Sequence, residues 1–345
     1  MSHDKITLAF PNYNHEKFLG RAISGLANQA HAANEILILD DASTDGSVEI
    51  LMAAAQDLES IHLILLEENG GVLKALNRLL QEATGDWIGY AAADDYLFPG
   101  YLEAMLPIIR ANPNVGFVSA CVEVWDGDDV VRGTRPIFYP SLEPKVFSPS
   151  EARVLMSQSD NHFMGHVTLY RREALLALGG FDEDFGSGTD GMALRDLALM
   201  HGFGFVPKKL GIWRLHGENF SLSSAFDIPK FAAMIEKHKS HILANEVGFY
   251  PERYEEILER RMKFGVARIL LNSMNASNRE KLVSDVAELL KMKRADLKIV
   301  TLLSKLKTIG PSATLAWVFF RLWPFSPLRF LLQPFRRRYA AWKNA

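Results

Sequence analysis

Residues 91–100 read AAADDYLFPG, and the place of Asp94 and Asp95 in that stretch decides how the chain folds. A short apolar run, Trp87 to Tyr90, precedes the pair and a helix-like segment begins near Pro99, so both carboxylates fall where a strand ends. Open α/β sheets bind ligands at that edge. Adjacent carboxylates repel, and are comfortable only in water or beside a cation. A hard divalent ion that also grips substrate phosphates needs only one or two protein carboxylates, because phosphate oxygens and water complete its shell. The rival role is capping of the next helix, with Pro99 early in it.

Upstream, strand and helix alternate. Lys5 to Phe10 reads as a buried strand ended by Pro11; Phe18, Ala22 and Leu26 follow at helical spacing, with Leu19 and Ile23 beside them. Glu35 to Leu39 (EILIL) is a second strand, closing on Asp40-Asp41 and the turn-rich ASTDGS, and a helix runs on to Leu58. Ile61 to Leu66 is a third strand that meets Asn69-Gly70-Gly71. Val72, Ala75, Leu76, Leu79, Leu80 and Ala83 then mark one face of a helix. This alternation predicts a largely parallel sheet covered on both faces. Parallel strands end on the same side, so Pro11 to Asn14, Asp40 to Asp45, Asn69 to Gly71 and Asp94-Asp95 are expected to converge on one rim.

After Asn112 the pattern loosens. Val115 to Trp125 reads as a strand, Gly127-Asp128 as a turn, and Pro136 to Pro149 as an irregular loop. A short helix at Ser150 to Gln158, a strand at Val167 to Tyr170, a helix from Met192 to His201 and a last strand at Gly211 to Leu215 complete a first domain, residues 1–224. Residues 225–345 read as helices only. Their clearest start is Ser277-Asn-Arg-Glu280, a capping-box pattern ahead of Leu282, Val283, Val286, Leu289 and Leu290.

A chain of 345 residues, 48% hydrophobic and 23% charged, can bury a full core and has the composition of a globular protein. Its single cysteine, Cys121, excludes a disulfide-stapled scaffold, fits a reducing compartment and reads as a small buried hydrophobe. The opening MSHDKITLAFPNYN lacks a basic region followed by an unbroken apolar stretch, so neither signal peptide nor N-terminal anchor is expected, and the location is cytoplasmic. From Lys291 onward twelve basic residues face one acid, Asp296, a net +11; in a chain of net −3 this leaves −14 on the first 290 residues. Such asymmetry points to an anionic surface as partner. Leu315 to Phe335 is rich in aromatics but broken by Arg321, Arg329, Pro324, Pro327 and Pro334, which is too interrupted to span a bilayer. With Arg336, Arg337 and Arg338 beside it, the segment suits a helix lying in the headgroup layer on the inner face of a cell membrane. The rival use is packing on the domain or in a dimer.

Other nucleotide-binding patterns fit poorly. No Walker lysine loop is present, and the one G-x-G-x-x-G match, Gly186 to Gly191, follows FDEDF rather than a strand inside a βαβ unit, which disfavours a nicotinamide dehydrogenase.

Taken in order, AFPNYNHEKFLGRAISGLANQ, EILILDDASTDGS, ENGGVLKALNRLLQEATGDWI, AAADDYLFPG, GGFDEDFGSGTDGMALRDLALMHG and WRLHGENFS resemble the successive motifs of the inverting family 2 glycosyltransferases, from Lys5 to Ser224. The resemblance implies an α/β GT-A fold, with a Rossmann-like, open, mostly parallel sheet and here a helical C-terminal region. It implies that Tyr13 and Asp41 hold the nucleobase with Pro11 on the same rim, and that Asp94 serves the ribose and phosphate side of the donor. It further implies that Asp95 binds Mn2+ or Mg2+, that His216 approaches the metal or diphosphate, and that Asp190 is the catalytic base. Two positions depart from the family pattern: Thr189 stands where a glutamate is frequent, and Leu76 where an arginine is, with Lys74 close by in sequence.

The chemistry asks for such roles on its own account. Displacing a nucleoside diphosphate builds negative charge on the leaving phosphate, which a cation offsets. The attacking hydroxyl must lose a proton to a base within hydrogen-bond reach. A single displacement then inverts the anomeric carbon. Each residue has a plainer use: Asp41 in its own turn, Tyr13 in packing, Asp190 at a helix start, His216 as a structural histidine. The expected function is transfer of one sugar from a UDP-sugar to a hydroxyl of a glycan or lipid-linked acceptor in cell-surface polysaccharide or lipopolysaccharide synthesis, without a nucleic-acid partner. A nucleotidyltransferase and a catalytically silent nucleotide-sugar-binding scaffold are the alternatives.

Overall fold

The computed structural model describes residues 4–127, 129–216, 226–244, 250–275, 277–306 and 310–322. They form two compact units, 4–155 with 161–216 and 156–160 with 226–322; the expected boundary at Ser224 lies outside the described residues.

The first unit is organised by a ten-stranded sheet of described residues. Its strands are β1 (Ile6–Asn12), β2 (Glu35–Asp40), β3 (Ile61–Leu65), β4 (Trp87–Tyr90), β5 (Tyr96–Leu97), β6 (Phe117–Asp126), β7 (Val131–Arg135), β8 (Lys145–Phe147), β9 (Thr168–Arg171) and β10 (Phe203–Leu215). The main order is β3-β2-β1-β4-β9-β6-β10-β5. The first four strands pair in parallel, as do β6 and β10, while β9 runs antiparallel between β4 and β6.

Strand periodicity sorts the apolar residues into two cores. Ile6, Leu8 and Phe10 of β1 and Ile36 and Ile38 of β2 enter one; Ala9, Leu37 and Leu39 enter the other. Both faces therefore need helices. Helices α1 (Glu16–Ala27) and α4 (Tyr101–Ala111) supply Leu19, Leu26, Met105 and Ile109 to the first core. Ala75, Leu79 and Leu80 of α3 (Val72–Glu82) enter the second, as expected from their spacing. Its N-cap, Gly71, has φ 88°, a left-handed backbone that favours glycine. Helix α2 (Ser47–Asp57) buries Leu51; α5 (Pro149–Gln158), α6 (Arg172–Ala177) and α7 (Thr189–His201) follow. Cys121 is buried in the second core, as read.

Two strand boundaries differ from expectation. Pro11 does not end β1, because beyond Ala9 the strand pairs only with β2, and an N–H missing from the open side costs no ladder bond. β10 starts at Phe203 rather than Gly211. Register shifts between Val206 and Lys209 and between Lys209 and Ile212 absorb the Pro-Lys-Lys interruption that hides the strand in the sequence.

The second unit contains α8 (Ile228–Ala244), α9 (Tyr254–Asn272), α10 (Arg279–Leu289), α11 (Arg294–Ser304) and α12 (Gly310–Leu322). Buried Asp160 accepts from Tyr254 Oη at 2.8 Å and from Arg261 Nε at 2.6 Å. The capping box before α10 does not form: the N-cap is Asn278, and Ser277 Oγ donates instead to Asn275 Oδ1 at 2.7 Å. The expected apolar face is present in buried Leu282, Val283, Val286 and Leu289. Among the described residues no helix is long and apolar enough to cross a membrane. Of the aromatic basic tail, residues 315–322 belong to α12, and everything from residue 323 on lies outside the described residues.

Candidate active site

Side chains tie the loops together at the end of the parallel strands. Asn12 Nδ2 donates to Asp40 Oδ2 at 2.8 Å and to Ser43 Oγ at 3.2 Å. Asn14 N donates to Ser43 Oγ at 2.9 Å, and Asn14 Oδ1 accepts from Thr44 N at 2.7 Å. Asp41 is buried, and its two carboxylate oxygens accept from Gly70 N and Gly71 N, both at 2.8 Å. It thus anchors the loop before α3 to the end of β2. Pro11 lies in β1 on the same edge, and Tyr13, just past it, is 42% exposed, leaving an aromatic surface available for stacking.

The aspartate pair divides. Asp94 Oδ2 lies 2.7 Å from Nε2 of His216, which follows β10. Asp94, His216 and His15 each present a ligand-type atom, and these atoms all lie within 4.8 Å of one another. Phe18, on the first turn of α1, stacks on His216 with centroids 5.4 Å apart, and the Arg214 guanidinium lies 5.6 Å from the Phe18 centroid. Asp95 turns inward. Its Oδ1 accepts from Arg214 N at 2.8 Å, and its Oδ2 lies 3.8 Å from His166 Nδ1. Burial, reinforced by the neighbouring Asp94 charge, holds the Asp95 carboxyl well above the usual carboxylate range, and burial lowers His166 to about 4. Asp94, expected on the ribose and phosphate side of the donor, meets His216, and Asp95, expected at the cation, is bound to the β10 backbone.

Asp190 occupies the first turn of α7, where its Oδ1 accepts from Gly191 N at 2.7 Å. It lies against Gly165, where a Cβ would overlap Asp190 Oδ2. The nearby G-x-G-x-x-G match belongs to a 3-10 turn, Glu183–Gly188, running into α7, with no strand before it. Leu76 packs against the second core.

One participant, His15, carries little signal in the sequence. His15 lies three residues past the end of β1 and directly after the polar cluster Pro11 to Asn14, on the rim that also receives His216. Gly70 and Gly71 belong to the Asn69 to Gly71 cluster expected on the rim; that their amides meet Asp41 is a main-chain contact with no side-chain signal.

A family model, Glycosyl transferase family 2, matches residues 7–179. A glycosyltransferase of Nostoc sp. is 28% identical over 225 residues, 64% of this chain and 68% of its own length. Part of the O-antigen biosynthesis protein RfbC of Myxococcus xanthus is 26% identical over 185 residues, 53% of this chain and 13% of that one. S. aureus TarS 1-349, solved in complex with UDP-GlcNAc, superposes with a TM-score of 0.59 at 16% identity, covering 92% of this chain and 91% of that one. The mannosyltransferase PcManGT of Pyrobaculum calidifontis, solved with GDP-Man and Mn2+, superposes with a TM-score of 0.54 at 18% identity, covering 92% and 88%. At these identities the structural likeness is one of fold.

Proposed function

Because the chain belongs to glycosyl transferase family 2 and has the GT-A fold, we propose that it moves one sugar from a nucleoside-diphosphate donor, a UDP-sugar, to a hydroxyl of a glycan or lipid-linked acceptor, with inversion. The observation that carries the reading is the meeting of Asp94 with His216 and His15 at the end of the sheet. One carboxylate and two imidazoles fit a divalent cation such as Mn2+ or Mg2+, and the Nδ1 of His15 is buried without a hydrogen-bond partner. A cation bound there supplies Lewis-acid stabilisation of the leaving diphosphate.

The chain's own residues take the remaining roles. Asp94 and His216 hold the cation side of the donor, and Asp95 holds the loop that presents Asp94 by accepting from Arg214 N. Tyr13 stacks on the nucleobase, with Pro11 beside it, and Asp41 keeps the Gly70-Gly71 loop at the base edge. Asp190 accepts the proton of the attacking hydroxyl. The RfbC similarity supports an acceptor in cell-surface polysaccharide synthesis.

The second unit is given a peripheral contact with an anionic membrane. On α11, Val300 and Ser304 face inward, while Ile299 and Leu302 are exposed between Lys298 and Lys305; exposed apolar groups flanked by lysines suit a headgroup layer. Removal of residues 294–345 should abolish pelleting with anionic vesicles, and equal pelleting of both proteins would refute the contact.

A thermal-shift screen of nucleotide sugars with and without Mn2+ tests the main reading. A donor that binds the native state raises the melting temperature by linkage, and the account expects a UDP-sugar to do so only with the cation present. No shift with any nucleotide sugar would overturn it.

A further inference from the structure

We propose that His15 is a third protein ligand of the cation site, so that Asp94, His15 and His216 take a transition-metal ion before any nucleotide arrives. The inference rests on the cation reading above and deepens it by naming the ion class and the order of binding.

His15 occupies the N-cap position of α1, where Ser, Thr, Asp or Asn ordinarily caps the exposed amides. Its side chain makes no capping hydrogen bond, and its Nδ1 is buried with no hydrogen-bond partner. A buried imidazole nitrogen without a partner is costly unless a ligand or ion satisfies it. The ring is nevertheless held in place. His15 O accepts from Phe18 N at 2.9 Å, and Glu16 N donates to Asp45 Oδ2 at 3.1 Å, which fixes the peptide unit that follows the histidine. Its ring stands edge-on to His216, centroids 6.4 Å apart at 69°, and Phe18 stacks on His216 in turn. The ligand atoms of the three residues fall within 4.8 Å of one another. Protein ligation would replace the Asp94–His216 hydrogen bond by a lone pair from each.

The donor set determines which ion suits the site. A site of one or two carboxylates draws most of its Mg2+ ligands from phosphate and water, and so fills with the nucleotide. Two imidazoles and one carboxylate instead favour Mn2+, Co2+ or Zn2+ over Mg2+, and three protein ligands hold such an ion without a phosphate. Because the set carries a single negative charge, a bound divalent ion leaves a net positive site that attracts the diphosphate.

Mn2+ binding followed by electron paramagnetic resonance, without nucleotide and then with UDP, tests this on the full chain. The wild type should bind one Mn2+ per chain without nucleotide, and His15→Ala should weaken that binding by about tenfold or more while melting as a folded protein. His15→Asp restores a ligand but exchanges nitrogen for oxygen; Mn2+ binding should return and its advantage over Mg2+ shrink. If His15→Ala does not fold, His15→Asp alone decides, since an unchanged Mn2+ to Mg2+ preference overturns the proposal. Equal nucleotide-free binding by wild type and His15→Ala, with loss in Asp94→Ala, would overturn the role of His15 and leave the cation reading intact. A wild type that binds Mn2+ neither alone nor with UDP would overturn both.

Discussion

His216 Nε2 lies 2.7 Å from Asp94 Oδ2 although 122 residues separate them. In the sheet, β9 and β6 stand between β4 and β10. The contact exists because the chain leaves β4 at Tyr90, crosses the ends of those strands as AAADD, and re-enters the sheet as β5, whose Tyr96 and Leu97 pair with Ile212 and Gly211 of β10. Five residues, Ala91 to Asp95, thus link β4 to β5 and deliver a carboxylate to the histidine that follows β10.

The two aspartates of that stretch should separate function from stability. Asp94→Ala is expected to fold with a near-normal melting temperature and to lose cation-dependent nucleotide binding. Asp95→Ala strips a buried acceptor from Arg214 N and should cost about 1–3 kcal/mol of stability while retaining the cation. Calorimetric titration of UDP with Mn2+, beside urea unfolding of both variants, checks this; the opposite pairing of losses would return the cation to Asp95.

The fold was legible in the sequence where periodicity was clean. EILIL and the Val72 to Ala83 stripe announce a parallel sheet with covered faces, and β2 and α3 are there. The second half was less legible for physical reasons: β10 hides behind bulges, and β5 is only two residues long. The rim was legible as four polar clusters, because parallel strands all deliver their ends to one side. What could not be read was orientation. Asp94 and Asp95 are chemically identical neighbours, and only the path of the loop decides which faces the rim and which turns towards Arg214. His15 was likewise invisible until the start of α1 placed it beside His216.

Asp190 should matter to chemistry and not to binding. Asp190→Asn keeps the volume and removes the proton acceptor, so transfer should fall by roughly 10²-fold or more with donor affinity unchanged. Gly165→Ala offers a second probe, since its Cβ would overlap Asp190 Oδ2 and displace the carboxyl; kcat should drop while UDP affinity holds. Single-turnover rates and UDP titrations of both variants decide it, and parental rates in Asp190→Asn would move the base elsewhere.

His166 should leave a mark on the pH dependence of stability. Burial lowers its pKa from the ordinary 6.5 to about 4, so the unfolded chain takes up a proton that the folded chain refuses until about pH 4. Its contribution is fully present above pH 6.5 and is lost as the pH falls towards 4, by about 1.4 kcal/mol per pH unit. Asp95, with a raised pKa, works in the opposite sense, its contribution fading as pH rises above the ordinary carboxylate range. Urea midpoints of wild type and His166→Gln across pH 4.5 to 7 should therefore converge towards acid, the substitution removing the His166 part. Parallel curves would contradict a neutral buried histidine.

The central claim, cation-assisted sugar transfer organised by Asp94, is tested most directly by product analysis of donor turnover. Wild type and Asp94→Ala are incubated with the UDP-sugar chosen by the thermal screen, with and without Mn2+, and the phosphate products are resolved. The expected products are UDP together with free or transferred sugar, formed by the wild type with Mn2+ and lost both in Asp94→Ala and on removal of the cation. Release of pyrophosphate, or UDP formed at equal rates by the variant or without a cation, would contradict it.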